Sequence, residues 1–142
     1  VVAELDRRGA SALVDAKASD AAGQLVAATD GGAAMVLDLV GSTASVSLAI
    51  QSARRGAHVV ICGLLGGDIT LPLPTLPLKP LRIEGSYVGT LKELRELVEL
   101  ALRGDLEPIA VTRRPLGEIN QALDALRRGQ VIGRTVLIPA LA

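Results

Sequence analysis

The chain has 142 residues, 49% of them hydrophobic, enough to bury a core and to exclude disorder. Fifteen basic residues balance fifteen acidic ones, so no net field draws in nucleic acid or an anionic membrane. The single cysteine, Cys62, excludes an internal disulfide and a cysteine-based zinc knuckle and suits a reducing cytoplasm; no apolar run reaches the roughly 18 residues a membrane span needs.

Val1 to Arg8 has helical spacing through Val1, Val2 and Leu5, with Gly9 where a C-cap belongs. This charged start lacks the pattern of a secretory signal and reads as a chain entered mid-helix. A short strand is expected near Ala12 to Val14. A helix is expected over Asp20 to Ala28, and "TDGG" at Thr29 to Gly32 turns the chain. "AMVLDLVG", Ala34 to Gly41, is an almost unbroken apolar run, the pattern of a strand covered on both faces and hence of a parallel sheet. Ser42 can cap a helix running to about Arg55, with Leu48, Ala49 and Ala53 among its apolar positions. A second strand, Ala57 to Cys62, completes a βαβ unit.

Pro72, Pro74, Pro77 and Pro80 then rule out a regular helix or a central strand between Ile69 and Pro80. An extended excursion with one helical turn is expected there, followed by an edge strand over Arg82 to Tyr87. Thr90 and Glu93 have the spacing of a capping box for a helix lined by Leu91, Leu94, Val98 and Ala101. Glu99 and Arg103 can pair at i,i+4, and Gly104 ends the helix. Ile109 to Arg114 reads as a short strand. Gly117 to Arg128 reads as an amphipathic helix with Ile119, Leu123 and Leu126 inward, and Arg134 to Ile138 as a last strand. The fold class is therefore α/β, a parallel sheet with flanking helices.

Three strand ends carry glycine: "DLVGS", "CGLLGG" and "EGSYVGT". In an open parallel sheet, ligands bind beyond the carboxyl ends of the strands, where backbone and small side chains permit close approach. One such glycine is weak evidence because turns need glycine anyway; three on neighbouring strands weigh more.

The order "AMVLDLVGS", "GAHVVICGLLGG", "LRIEGSYVGT" and "PLGEINQALDALRRGQVIGRTVLIP" resembles the C-terminal part of the zinc-dependent medium-chain alcohol dehydrogenases over nearly the whole chain. The resemblance implies a Rossmann-type sheet, incomplete at its N-terminus, over residues 1–108. It implies that 109–142 form a strand, a helix and a strand that return toward a catalytic domain. It implies NAD(P) as cofactor, with Gly63, Leu64 and Leu65 along the nicotinamide ribose. Ser86, Tyr87 and Val88 would lie by the nicotinamide ring, Val40 and Gly41 by the adenosine side, and Arg134 at the pyrophosphate. It further implies a small alcohol or carbonyl substrate and a C2 homodimer through Leu81 to Gly89.

The phosphate fingerprint G-x-G-x-x-G is absent, as are the family's acidic ribose-binding residue, its zinc ligands and its proton relay. No catalytic or metal-ligating residue is therefore assigned to this chain. Zinc is expected only in a full-length enzyme, and the chain by itself is expected to bind NAD weakly and to oxidise no alcohol. Two rival readings stay open: a zinc-free quinone or enoyl reductase of similar layout, and a non-catalytic α/β binding domain.

Other singled-out residues have plainer readings. Cys62 reads as a small buried residue rather than a thiolate or metal ligand. His58, at the start of its strand, reads as a structural histidine. Asp38 inside an apolar strand needs a partner, in a capping or loop-tying role or, less simply, in catalysis. Arg113, Arg114, Arg127 and Arg128 read as solvated faces.

Overall fold

A computed structural model describes residues 9–139, so the helix expected over Val1 to Arg8 lies outside the described residues. The chain divides into two units, one through Val88 and one from Gly89.

The first unit is an α/β unit built on a three-stranded parallel sheet. Its elements are α1 (Ala21–Ala28), β1 (Ala33–Asp38), α2 (Thr43–Ser52), β2 (Ala53–Ile61), the single turn α3 (Thr75–Leu78) and β3 (Arg82–Gly85). The strand order is β1-β2-β3. Val36, Leu37 and Asp38 stand beside Val59, Val60 and Ile61, and Val59 to Ile61 stand in turn beside Ile83 to Gly85. The expected strand at Ala12 to Val14 does not form, because that segment makes no ladder with a neighbour and an unpaired strand has nowhere to place its backbone hydrogen bonds.

The core lies between α2 and one face of the sheet. Ala49, Ala53, Ala57 and the fully buried Val59 form it, with Val36 and Leu81 packed against them. Small side chains on both elements let helix and strand backbones approach closely. The other face is open: Met35 and Leu37 are each 59% exposed, so β1 is covered on one face only, whereas its apolar run leads one to expect cover on both. That open face also carries the cross-strand cluster in which Glu84 meets His58 at 3.1 Å and Arg82 at 2.6 Å, which gives His58 its structural partner.

α2 stops at Ser52, three residues before the expected end near Arg55. Ala53 is already extended (φ −69°, ψ 140°) and opens β2. The Lys79 ammonium donates to the carbonyls of Ile50 (2.7 Å) and Gln51 (3.1 Å), closing the C-terminus of the helix, and partial burial lowers its pKa. Arg55 Nη1 reaches the Leu78 carbonyl at 2.5 Å. The proline-rich excursion is thus tied to the end of α2.

The second unit contains α4 (Leu91–Leu102), β4 (Val111–Pro115), a 3-10 turn (Leu116–Glu118), α5 (Ile119–Arg127) and β5 (Arg134–Ile138). β4 and β5 pair in parallel, with Val111 beside Arg134 and Arg113 beside Val136. Arg103 pairs with Asp105 at 2.8 Å and not with Glu99, because Asp105 sits just past the helix end within reach of the guanidinium.

The capping box forms as its spacing requires. The Glu93 carboxylate accepts the Thr90 N–H at 2.6 Å and the Thr90 hydroxyl at 2.8 Å, and the Glu93 N–H donates back to the Thr90 hydroxyl oxygen at 3.2 Å. The backbone hydrogen bond, then the hydroxyl one, holds the Glu93 pKa below its model-compound value of 4.5. Its stabilising effect is therefore full above that value and is lost as pH falls through the depressed folded-state pKa. Thr90→Ala is expected to cost about 1 kcal/mol at neutral pH in urea unfolding. The deficit of Glu93→Gln relative to wild type should shrink between neutral pH and about pH 3; a constant deficit would show that the carboxylate charge does not matter.

Candidate functional site

β1 and β2 run parallel, so both release their chains on the same side of the sheet, and the sequence at both ends builds one joined structure. Its centre is Asp38, only 5% exposed. Asp38 Oδ1 accepts the N–H groups of Val40 (2.9 Å) and Gly41 (3.1 Å), and Oδ2 accepts the Ser45 hydroxyl from the first turn of α2 (3.0 Å). Three hydrogen bonds to a carboxylate compensate its burial. The carboxylate ties a loop to a helix, the plainer of the two roles its position allows.

The Asp38 carbonyl in turn accepts the N–H groups of Cys62 (2.8 Å) and Gly63 (3.0 Å) from the end of β2. Leu65 N–H donates to Val40 (3.1 Å), Gly66 N–H to Gly41 (2.9 Å), and the Thr43 hydroxyl to the Asp68 carbonyl (2.9 Å). The two loops are zipped backbone to backbone. Gly41 has φ +68°, and a Cβ there would overlap the Gly63 carbonyl; a Cβ on Gly63 would overlap the Val40 carbonyl. These glycines make room for each other's backbone.

The zipped loops turn apolar side chains outward. Leu39, Val40, Leu64 and Leu65 are exposed, Leu64 at 80%. Cys62 is partly buried at the base of the loop, with no disulfide partner. Next to them β3 ends at Gly85, two residues before its expected end, although Ser86 N–H still bonds the Ile61 carbonyl at 2.9 Å. Tyr87 and Val88 leave the sheet with their side chains exposed. Val88 has φ +48°, an uncommon conformation for a β-branched residue, and its exposed side chain does not impose it.

Eight of the nine residues expected at a cofactor, Val40, Gly41, Gly63, Leu64, Leu65, Ser86, Tyr87 and Val88, therefore stand at the carboxyl ends of three adjacent strands of the first unit. The ninth, Arg134, opens β5 in the second unit. An open apolar shelf over exposed backbone fits the ribose and nicotinamide of a dinucleotide. Zinc does not fit the described residues: none of their histidine, cysteine, aspartate and glutamate side chains gather in threes to hold a metal. No helix among them is long and apolar enough to cross a membrane.

Asp38 is the position whose role its place in an apolar strand left open, and Ser45 is the helix partner it takes. Asp38→Ala should strand two loop N–H groups and lower stability by about 2–4 kcal/mol. Gly63→Ala, at a glycine with ordinary φ, isolates the close approach and should cost about 1–3 kcal/mol through forced backbone movement. Urea unfolding measures both, and wild-type stability in Gly63→Ala would show that the loops are not tightly joined.

The family described as zinc-binding dehydrogenase matches residues 2–103. An alcohol dehydrogenase of Geobacillus stearothermophilus is 37% identical over 129 residues, 91% of this chain and 38% of the relative. An NAD-dependent alcohol dehydrogenase of Sulfurisphaera tokodaii is 31% identical over 135 residues, 94% of this chain and 39% of the relative. Among solved structures, the alcohol dehydrogenase of Aeropyrum pernix superposes with a TM-score of 0.83 at 38% identity, over 94% of this chain and 38% of that one. The chain thus spans less than half the length of these relatives, yet almost all of it is matched, in sequence and in fold. A parallel sheet whose first two strand ends are zipped through Asp38, and a sequence match over more than half the chain, carry one conclusion: this chain belongs to the zinc-binding dehydrogenase family.

Proposed function

We propose that the first unit binds NAD(P) along its strand ends and that the protein serves an alcohol dehydrogenase acting on a small alcohol or carbonyl compound in the cytoplasm. The observation that carries this reading is the shelf at three adjacent strand ends, in a chain whose relative from Sulfurisphaera tokodaii is named an NAD-dependent alcohol dehydrogenase. When bound, the cofactor supplies the hydride acceptor. Gly63, Leu64 and Leu65 present backbone and apolar surface to the ribose, Ser86 to Val88 border the ring, and Val40 and Gly41 border the adenosine side. Arg134 supplies a charge to the pyrophosphate. Residues 1–108 belong to the cofactor domain in this reading, and 109–142 to the segment that returns toward the catalytic part.

Arg134 is the sharpest test, because its side chain has no ion-pair or hydrogen-bond partner among the described residues and its loss should leave folding intact. In the full-length enzyme, Arg134→Ala should weaken NAD binding in calorimetric titration by about one to two powers of ten at constant salt. An unchanged dissociation constant would remove Arg134 from the site.

We also propose that the protein pairs with a second copy about a two-fold axis through Leu81 to Gly89. Among the described residues β3 pairs only with β2, and all of Arg82–Gly85 is exposed, leaving a row of backbone groups free on its outer edge. Sedimentation should show a dimer at high micromolar concentration, and Ile83→Pro should abolish it; a wild-type monomer there would contradict the pairing.

A further inference from the structure

We infer that Arg113 acts beside Arg134 as a second cation for a diphosphate, so that the open face of the β4–β5 pair is a two-arginine anion site. This rests on the proposal that Arg134 meets the cofactor pyrophosphate, and it adds a residue to that contact.

The register places the two on one face. Arg113 stands beside Val136, and Val136 is two residues along the same strand from Arg134, so alternation puts all three on the same side. The burial pattern agrees: Arg134, Val136 and Ile138 are exposed, whereas Thr135 and Leu137 are half-buried and line a cavity with Leu123 and Leu126 of α5, which Arg134 also borders where it opens β5. Strand spacing and rise set the two arginine Cα atoms about 8 Å apart, within reach of a shared ligand for two long side chains.

Their electrostatic situation differs from that of the neighbouring arginines. Arg103 pairs with Asp105, Arg114 with Glu118 and Arg127 with Asp124, and Arg128 donates to the Asp124 carbonyl. The side chains of Arg113 and Arg134 have no such partner among the described residues. Around them on that face stand Val111, Val136 and Ile138, all apolar and all exposed. Arg113 also lines an open groove of about 640 Å³ with Pro115, Leu116 and Ile138. Like charges on adjacent strands oppose each other, and among the described residues of β4 and β5 no carboxylate offsets them. A diphosphate carries negative charge on two linked phosphate groups, and two guanidinium forks can each take one group bidentately.

The test titrates inorganic pyrophosphate and, separately, NAD into the full-length wild type, Arg113→Ala, Arg113→Lys and Arg134→Ala at the same series of salt concentrations, with far-UV circular dichroism confirming the fold of each variant. Arg113→Ala should weaken both ligands about tenfold, with Arg113→Lys in between, and the slope of log affinity against log salt should become shallower. If Arg134→Ala weakens binding while Arg113→Ala leaves it unchanged, the second cation is overturned and the role of Arg134 stands. If wild type binds NAD but neither substitution alters the affinity, both arginines leave the site, whereas a wild type that binds neither ligand overturns the cofactor reading itself. Should Arg113→Ala unfold, Arg113→Gln keeps the stem and removes only the charge.

Discussion

A carboxylate buried at the end of a strand governs the first unit. Asp38 leaves water only because two loop N–H groups and a helix hydroxyl replace its hydration, and satisfying them bends the chain sharply after β1. That bend delivers Val40 and Gly41 to the end of β2, where the Asp38 carbonyl and the Val40 and Gly41 carbonyls accept N–H groups from Cys62, Gly63, Leu65 and Gly66. Once the loops are zipped, glycine at 41 and 63 follows from the absence of space, and the leucines beside them, Leu39, Leu64 and Leu65, stand exposed to solvent. The exposed apolar shelf at the strand ends is thus a consequence of how one carboxylate is desolvated.

The same economy of polar groups appears at the far end of α2. Its last carbonyls are taken up by Lys79, from a segment whose prolines cannot supply N–H donors, and Arg55 returns a donor to that segment at Leu78. In the second unit local sequence does more of the work. α4 is fixed at its start by Thr90 and Glu93, and β4 and β5 are joined through a turn and α5 as a parallel pair. Each unit leaves apolar side chains uncovered: Met35 and Leu37 in the first, Leu91, Leu94, Val111 and Val136 in the second.

Local signals were legible in the sequence, and long-range ones were not. The Thr90–Glu93 spacing, the bounds of β5, the single turn in the proline-rich excursion and the order of elements follow from capping, periodicity and proline chemistry within a few residues. Where α2 gives way to β2 depends instead on pairing with β1 and on Lys79, more than twenty residues away, so alanine-rich spacing extends the helix too far. The glycines at strand ends were visible, but their immediate reason was not, because a glycine that admits a ligand and one that admits a neighbouring backbone look alike in sequence. Asp38 stood out as a charge within an apolar run; its partner Ser45, one turn into the next helix, could be recognised only once α2 was placed against the sheet.

The most direct measurement is a two-dimensional amide spectrum of the nitrogen-15-labelled protein recorded as NAD is added. If the zipped strand ends form the cofactor shelf, the amides of Gly63 to Leu65 and Ser86 to Val88 should shift progressively and saturably, while those of Ala49, Ala53 and Ala57 behind the sheet stay in place. Saturable shifts confined to other residues, with Gly63 to Leu65 unmoved, would contradict it.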